Sequence, residues 1–501
     1  MKGLFKCFST KLVSLSFMFF FSFHTQAIAK QFEGIQITVG VQNVSAIGSP
    51  AIAHAKTWEK RTGGTVKIIQ HPFKDLFKNF YQSMTQIAPT YDVILFAPGW
   101  AGDFFPYLSE LPDELADDES FDDIHPTYRD RLMKWNDRWI AVTVDGDLFS
   151  GYYRKDLFEN EQNRNDFKKQ FNYALDRPET WKQYADIAKF FTGRTDANGK
   201  KLYGASEAFA FGGQQFWDVF SRASAYTNHP GYPGAQFFHP ETMVPQINNP
   251  GWLRAVTEYL EILKYCPPDA INFDIVKVRK AFLSGQTALA LDWGDIAQLA
   301  ADPQKSKIVG KVGYFVLPGT KEIWNIFSQT WNKKTTPHMA PFLAFGGWVA
   351  GVPSNSKQKK AAWDYIMWYT NPDNSLKDVV KSGTGINPYR FTHFTNIDAW
   401  TKALSRQSAS EYLSVLRASL DAPSCALDLR VPGLHQYTRS FEINLTRALK
   451  NEITVKEALD TVAKEWEKIT DSLGRDSQLK IYRSSMGLPP LNPKNTFEKG
   501  E

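Results

Sequence analysis

The chain has 501 residues, 43% hydrophobic and 22% charged, with a formal net charge of +5. That length exceeds one ordinary domain, and that balance belongs to soluble globular proteins with a large core. Lys2, Lys6 and Lys11 all precede the mature region, which therefore carries only +2; such a surface gives no reason to expect a nucleic acid or an anionic membrane as partner.

The three lysines precede an apolar core, "LVSLSFMFFFSF" (12–23), and "AIA" (27–29) follows. This order predicts a cleavable signal peptide over 1–29 and a soluble mature chain in the periplasm. Cys7 lies before the apolar core and not at the cleavage point, which speaks against a lipid anchor. Cys266 and Cys425 remain after cleavage, and the sequence leaves open whether they join.

"IQITVGV" (35–41) alternates as a strand. Ser49 and Pro50 predict a helix start, with Ile52, Ala55 and Trp58 on the buried stripe. "GTVKII" (64–69) and "YDVILFA" (91–97) are two further strands, so the opening region predicts a parallel sheet with helices on its faces. Ligands of such sheets lie beyond the carboxyl ends of the strands, which places the loops at Asn43 and Trp100 on one rim. From Trp139 a long extended stretch runs to Phe158, interrupted at Asp145–Asp147. Amphipathic helices are predicted over 177–191, 248–263, 356–370 and 454–469, the last opened by a Thr454/Glu457 capping box. Strands are predicted at 288–292, 311–319 and 342–352.

Catalytic templates fit poorly. "GASEA" (204–208) imitates a nucleophile elbow without an apolar strand before it, and "GRTDANGKK" (193–201) has the wrong spacing for a phosphate loop. The nine histidines are scattered and form no metal-ligand spacing, so neither metal nor cofactor is expected. Asp145 with Asp147, or Asp292 with Asp295, has the composition of a glycosidase pair. The same residues suit capture of a neutral, hydroxyl-rich ligand: carboxylates accept hydrogen bonds from hydroxyls, and an indole covers the C–H face of a sugar. "FAPGWAGDF" (96–104), "VDGDLFSGYY" (144–153), "LDWGD" (291–295) and "FGGWVAG" (345–351) each pair a ring with Gly or Asp at a strand end. Trp100, Trp293 and Trp348 stand out for that reason. Trp217 lies on an aromatic helix and fits core or pocket equally. Trp181, Trp252, Trp363 and Trp466 fall on helical stripes and belong to the core.

In order along the chain, "YDVILFAPGWAGDFFPYLSEL", "DRWIAVTVDGDLFSGYYRKDLF", "AFLSGQTALALDWGD", "GGWVAGVPSNSKQKKAAWDYIMWYTNPD" and "SGTGINPYR" resemble the extracellular solute-binding proteins of ABC importers, in their maltose-binding-like sugar group. The resemblance implies an α/β, two-lobed periplasmic-binding-protein fold of type II, with the ligand in a cleft between lobes joined by crossing segments. Crossings are expected near 143–149 and 306–313 and in the helices after 372. The lobes would comprise 30–145 with 310–372, and 146–309 with 373–475, followed by an extension over 476–501. Carried over by position, Asp147, Trp293, Asp295, Trp348, Arg390 and Asn43 would contact ligand. The segments 320–341 and 473–491 are longer than the family pattern. The resemblance therefore implies a non-enzymatic, monomeric receptor that captures a carbohydrate or polyol by hinge closure and hands it to permease subunits. A secreted hydrolase using the Asp pairs, or a receptor for another solute such as a polyamine or glycerol phosphoester, stands as the alternative.

Overall fold

The computed structural model describes residues 30–197, 199–381 and 385–491; the expected signal peptide and the residues 492–501 of the tail lie outside the described residues. Strand β1 (Gln36–Gln42) runs parallel to β2 (Thr65–His71) along its whole length and to β3 (Val93–Phe96) on its other side. Helices α1 (Ser45–Thr62) and α2 (Phe73–Thr85) make the connections.

The expected start of α1 at Ser49–Pro50 is one turn late. The helix begins at Ser45 and holds Pro50 inside it. Pro50 stands in the second turn, where it forfeits one bond, the one a residue 50 N–H would make to the Ala46 carbonyl. Its buried stripe is Ile47, Ala51, Ala55 and Trp58, whereas Ile52 is 38% exposed.

The short hairpin β4 (Lys134–Trp135) and β5 (Arg138–Trp139) precedes β6 (Val142–Thr143), which pairs antiparallel with the much later β13 (Val349–Gly351). The first sheet is thus ordered β2-β1-β3-β13-β6. Strands β7 (Ser150–Arg154), β8 (Tyr203–Ser206), β9 (Thr287–Asp292) and β10 (Val312–Phe315) form the second, ordered β10-β7-β9-β8. Residues 144–149 carry the chain from one sheet to the other, as expected.

The second crossing differs from expectation. Val312–Phe315 pair with Arg154–Gly151, so the end of the stretch placed at the 306–313 crossing already belongs to the second sheet. The register is fixed by packing, since a Cβ on Gly151 would stand 2.0 Å from the Phe315 ring. The return passes between Phe315 and Val349. It includes the hairpin β11 (Thr320–Asn325) and β12 (Thr330–His338), closed by a Trp324–Trp331 contact at 5.6 Å. That hairpin packs on the helices Gln215–Thr227 and Pro250–Ile262; it braces the helix carrying Trp217.

Helix Lys359–Thr370 packs on α1 and β6, and helix Arg406–Leu420 packs on β10, so the third passage lies between them. Helix Leu434–Leu449 packs on Gln215–Thr227, and the capped helix Val455–Ser472 on Pro250–Ile262. The final helix, Arg475–Ser485, lies against the latter. Cys266 and Cys425 are both free thiols.

Candidate functional site

Four aspartates meet where the chain crosses between the sheets. At the crossing, Val144 and Asp145 donate backbone N–H groups to the Trp348 carbonyl at 2.9 and 3.2 Å. This close approach requires glycine at 347: φ there is +86°, and a Cβ would sit 2.0 Å from the Asp145 carbonyl oxygen. The Asp145 carboxylate accepts the Asn387 backbone N–H at 2.7 Å. The Asn387 side-chain amide then donates to Asp147 at 2.6 Å, to Asp295 at 3.0 Å and to the Gly385 carbonyl at 3.1 Å. Its own oxygen accepts from the Tyr412 hydroxyl at 3.3 Å.

The run "ALALDWGD" supplies the other half. Strand β9 ends at Asp292, whose carboxylate holds Arg279 in a two-point bond at 2.7 and 2.8 Å. The same guanidinium reaches Asp295 at 2.7 Å. Among the described residues, Arg279 is the cation bonded to this group, and it reaches two of the four acids. Burial drives the Asp145 carboxyl well above its usual range, against the bonds from Asn387. Burial, and then the charges of Asp145 and Asp295, do the same to Asp147. Burial lifts Asp292 to about 6 even with Arg279 beside it.

Aromatic rings line one side of this cluster in a continuous chain. Trp293 meets Phe149 at 5.0 Å and Trp217 at 5.4 Å; Trp217 meets Phe345 at 5.5 Å, and Phe345 meets Trp348 at 5.2 Å. Phe73, at the start of α2, touches Phe345, Trp348 and Trp100 at 6.0, 6.2 and 5.7 Å. The indole N–H groups are anchored: Trp293 to the Ala344 carbonyl at 2.9 Å and Trp217 to Asp428 at 2.6 Å. Phe345 is held by an uncommon backbone. Ala344, Phe345, Gly346 and Gly347 all have positive φ, and for the two non-glycines this is a strained state that functional sites retain. Phe73 and Trp100 come from the first-sheet side, whereas Phe149, Trp217 and Trp293 come from the second.

Of the sequence-predicted residues, Asp145, Asp147, Asp292, Trp293 and Asp295 converge on one cluster, and Trp100, Trp217 and Trp348 join the ring wall. Asn43 stays exposed on the loop after β1, its N–H bonded to the His71 carbonyl at 2.7 Å. The start of α1, directly after that loop, brings Ala46 near Asp295, since a Cβ on Gly385 would lie 3.3 Å from both. Arg390 departs from expectation. It is 1% exposed and spends its guanidinium on the carbonyls of Ser120 and Thr370, with Asp123 at 3.9 Å. It clamps the chain beneath the site; Asn387, three positions earlier, faces the acids instead. Sequence reasoning also missed Arg279, Phe345, Tyr412 and Asp428. Only Phe345, directly before the Gly-Gly-Trp, carried a local signal.

A second buried ionic group lies beside the second sheet. Glu207 and Arg222 form a two-point pair at 3.0 and 3.1 Å, with the guanidinium 4.3 Å from the Trp181 ring. The "GASEA" segment is therefore a strand end carrying an ion-paired Glu. Among the described residues no group of three or more His, Cys, Asp or Glu is placed to hold a metal ion, and no helix is long and apolar enough to cross a membrane.

Residues 43–376 match the profile of the bacterial extracellular solute-binding protein family. The chain belongs to that family. As a member it is an ABC-transporter solute-binding protein, similar at 22% identity to a probable ABC transporter-binding protein of Deinococcus radiodurans over 71% of this chain and 77% of the relative. Its two-lobed fold is shared with a solute-binding protein of Agrobacterium radiobacter K84 solved with ribitol (TM-score 0.68, 21% identity, 88% of this chain and 100% of the other). It is shared equally with a maltose-bound protein of T. maritima (TM-score 0.66, 21% identity, 87% and 100%).

Proposed function

We propose that this family member is a periplasmic receptor for a carbohydrate or polyol, captured between the two lobes and delivered to the membrane permease. The observation that carries the reading is the meeting of Asp145, Asp147 and Asp295 with a ring wall drawn from both lobes. Carboxylates receive hydroxyl donors, and rings cover the apolar faces between those hydroxyls. A ligand touching Asp147 on one side and the rings of the other lobe favours the closed arrangement, because only that arrangement supplies both sets of contacts. Ribitol and maltose in the similar folds are consistent with such a ligand.

The hydrolase alternative is disfavoured by the partners of the acids. Asp292 is committed to Arg279, and Asp145 to the Asn387 backbone, so neither pair offers one free acid opposite one free base. As the lobes of the receptor we assign the first sheet with α1, α2 and helix Lys359–Thr370, and the second sheet with the helices that cover it.

A thermal-shift series with ribitol, mannitol, maltose, putrescine and glycerol 3-phosphate tests the reading. A saturable rise with a sugar or polyol, and no reducing ends released from oligosaccharides, is expected. A response to putrescine or glycerol 3-phosphate alone, or turnover, contradicts it.

A further inference from the structure

A polar cavity lies between the β4–β5 hairpin and the final helix, apart from the acid cluster. It measures about 40 Å³ and is lined by Arg131, Lys134, Asp137, Arg430 and Ser485, among others. Arg430 is 2% exposed. It donates to the carbonyls of Pro98 at 3.2 Å, of Lys134 at 3.4 Å and of Arg131, and lies 5.2 Å from the Trp135 ring. Arg131, half-buried, donates to the Ser485 carbonyl at 2.6 Å.

The charge balance is what distinguishes this cavity. Among the described residues neither arginine has an ion pair with a carboxylate. Asp130, which also lines the space, is taken by Arg129 at 2.9 Å and by Lys134 at 3.6 Å. Asp137 is exposed, and the Lys134 ammonium turns outward to the Trp139 ring at 4.1 Å. Carbonyl oxygens solvate a guanidinium but carry no net charge, and a buried ion without a counter-charge is expensive. Burial and the proximity of Arg131 hold the Arg430 guanidinium down to about 9, a direction opposite to that of the acid-paired Arg279 and Arg222.

We propose that this cavity is a structural anion site, in which one inorganic anion of chloride size bridges Arg131 and Arg430. The volume suits one such ion or a water or two, and is too small for a sugar phosphate or a nucleotide. The site joins the segment Thr127–Leu132, which packs on β6, to the carboxyl end of the final helix. Its occupant fastens the C-terminal extension onto the first-sheet lobe. This role is independent of the cleft and of the solute captured there.

The test compares the melting temperature of the full mature chain in potassium chloride and in potassium gluconate at equal ionic strength. A saturable rise of about 2–4 °C specific to chloride is expected, and it vanishes in Arg131→Gln. Equal melting temperatures in the two salts, or an increment retained in Arg131→Gln, overturn the proposal. Should that variant not fold, ³⁵Cl line broadening on the wild-type chain decides: broadening competed by bromide supports the site, and its absence overturns it. A larger rise in phosphate than in chloride overturns the size assignment.

Discussion

Two buried ionic groups in this molecule have opposite designs. Glu207 and Arg222 satisfy each other at two points and lie against Trp181 beside the second sheet. The group at the crossing gathers Asp145, Asp147, Asp292 and Asp295 from two separated stretches of chain, with Arg279 the cation bonded to it among the described residues. The first centres on a two-point pair, with the buried acid Asp218 beside it; the second gathers its acids where the chain crosses between the two sheets. A matched pair stabilises one packing, whereas an excess of carboxylate leaves hydrogen-bonding capacity for a donor from outside.

Substitutions separate the two designs. Breaking the matched pair should have the largest effect: Glu207→Gln leaves a buried guanidinium unpaired and should cost about 3–5 kcal/mol by denaturant unfolding. Solute affinity measured on the folded fraction should stay within about twofold. Asp147→Ala should behave in the reverse way. Loss of charge-assisted bonds worth about 1.5–3 kcal/mol weakens solute binding roughly 10- to 100-fold by calorimetric titration. The melting temperature of the solute-free protein should be nearly unchanged. If Asp147→Ala instead unfolds the chain, the crossing group is structural like the first.

Gly347→Ala tests the scaffold beneath the crossing. A Cβ pressed against the Asp145 carbonyl, at a φ of +86°, should destabilise by about 1–3 kcal/mol and lower affinity as Asp145 shifts.

The smallest effect concerns pH. Asp292 has its folded-state pKa lifted to about 6, by burial first. Because the folded chain holds that proton more tightly than the unfolded one, its contribution to stability is complete at low pH and is lost as pH rises toward and through 6. Wild type should therefore gain about 1 kcal/mol relative to Asp292→Asn on going from pH 7 to pH 5. Equal slopes for the two proteins would contradict the assignment.

The sequence revealed the parts of this arrangement that are local. Alternation in "IQITVGV", the buried run "ALALD" and the Thr454/Glu457 box each depend on neighbours a few residues away, and each formed where it was read. The collinear segments carried the family. What stayed hidden depends on partners far apart in the chain. Arg279 is defined by its bond to Asp292 across a helix–strand connection, and Asn387 by contacts with Asp145 and Asp147 from another crossing. In the stretch "SGTGINPYR" the arginine carries the stronger chemical signal, yet Arg390 turns into the interior and the neutral Asn387 meets the acids. The second crossing was misplaced for a related reason: "VGYF" is buried throughout, and such a run fits a strand of either sheet until the Phe315–Gly151 contact decides.

Intrinsic tryptophan fluorescence during titration with a panel of sugars and polyols tests the central claim most directly, because Trp100, Trp217, Trp293 and Trp348 belong to the ring wall proposed to meet the solute. At least one member of the panel should change the emission saturably in the wild-type protein, with the response strongly weakened in Asp147→Ala. A flat response across ribitol, mannitol, maltose and longer oligosaccharides would contradict a carbohydrate receptor built on this wall.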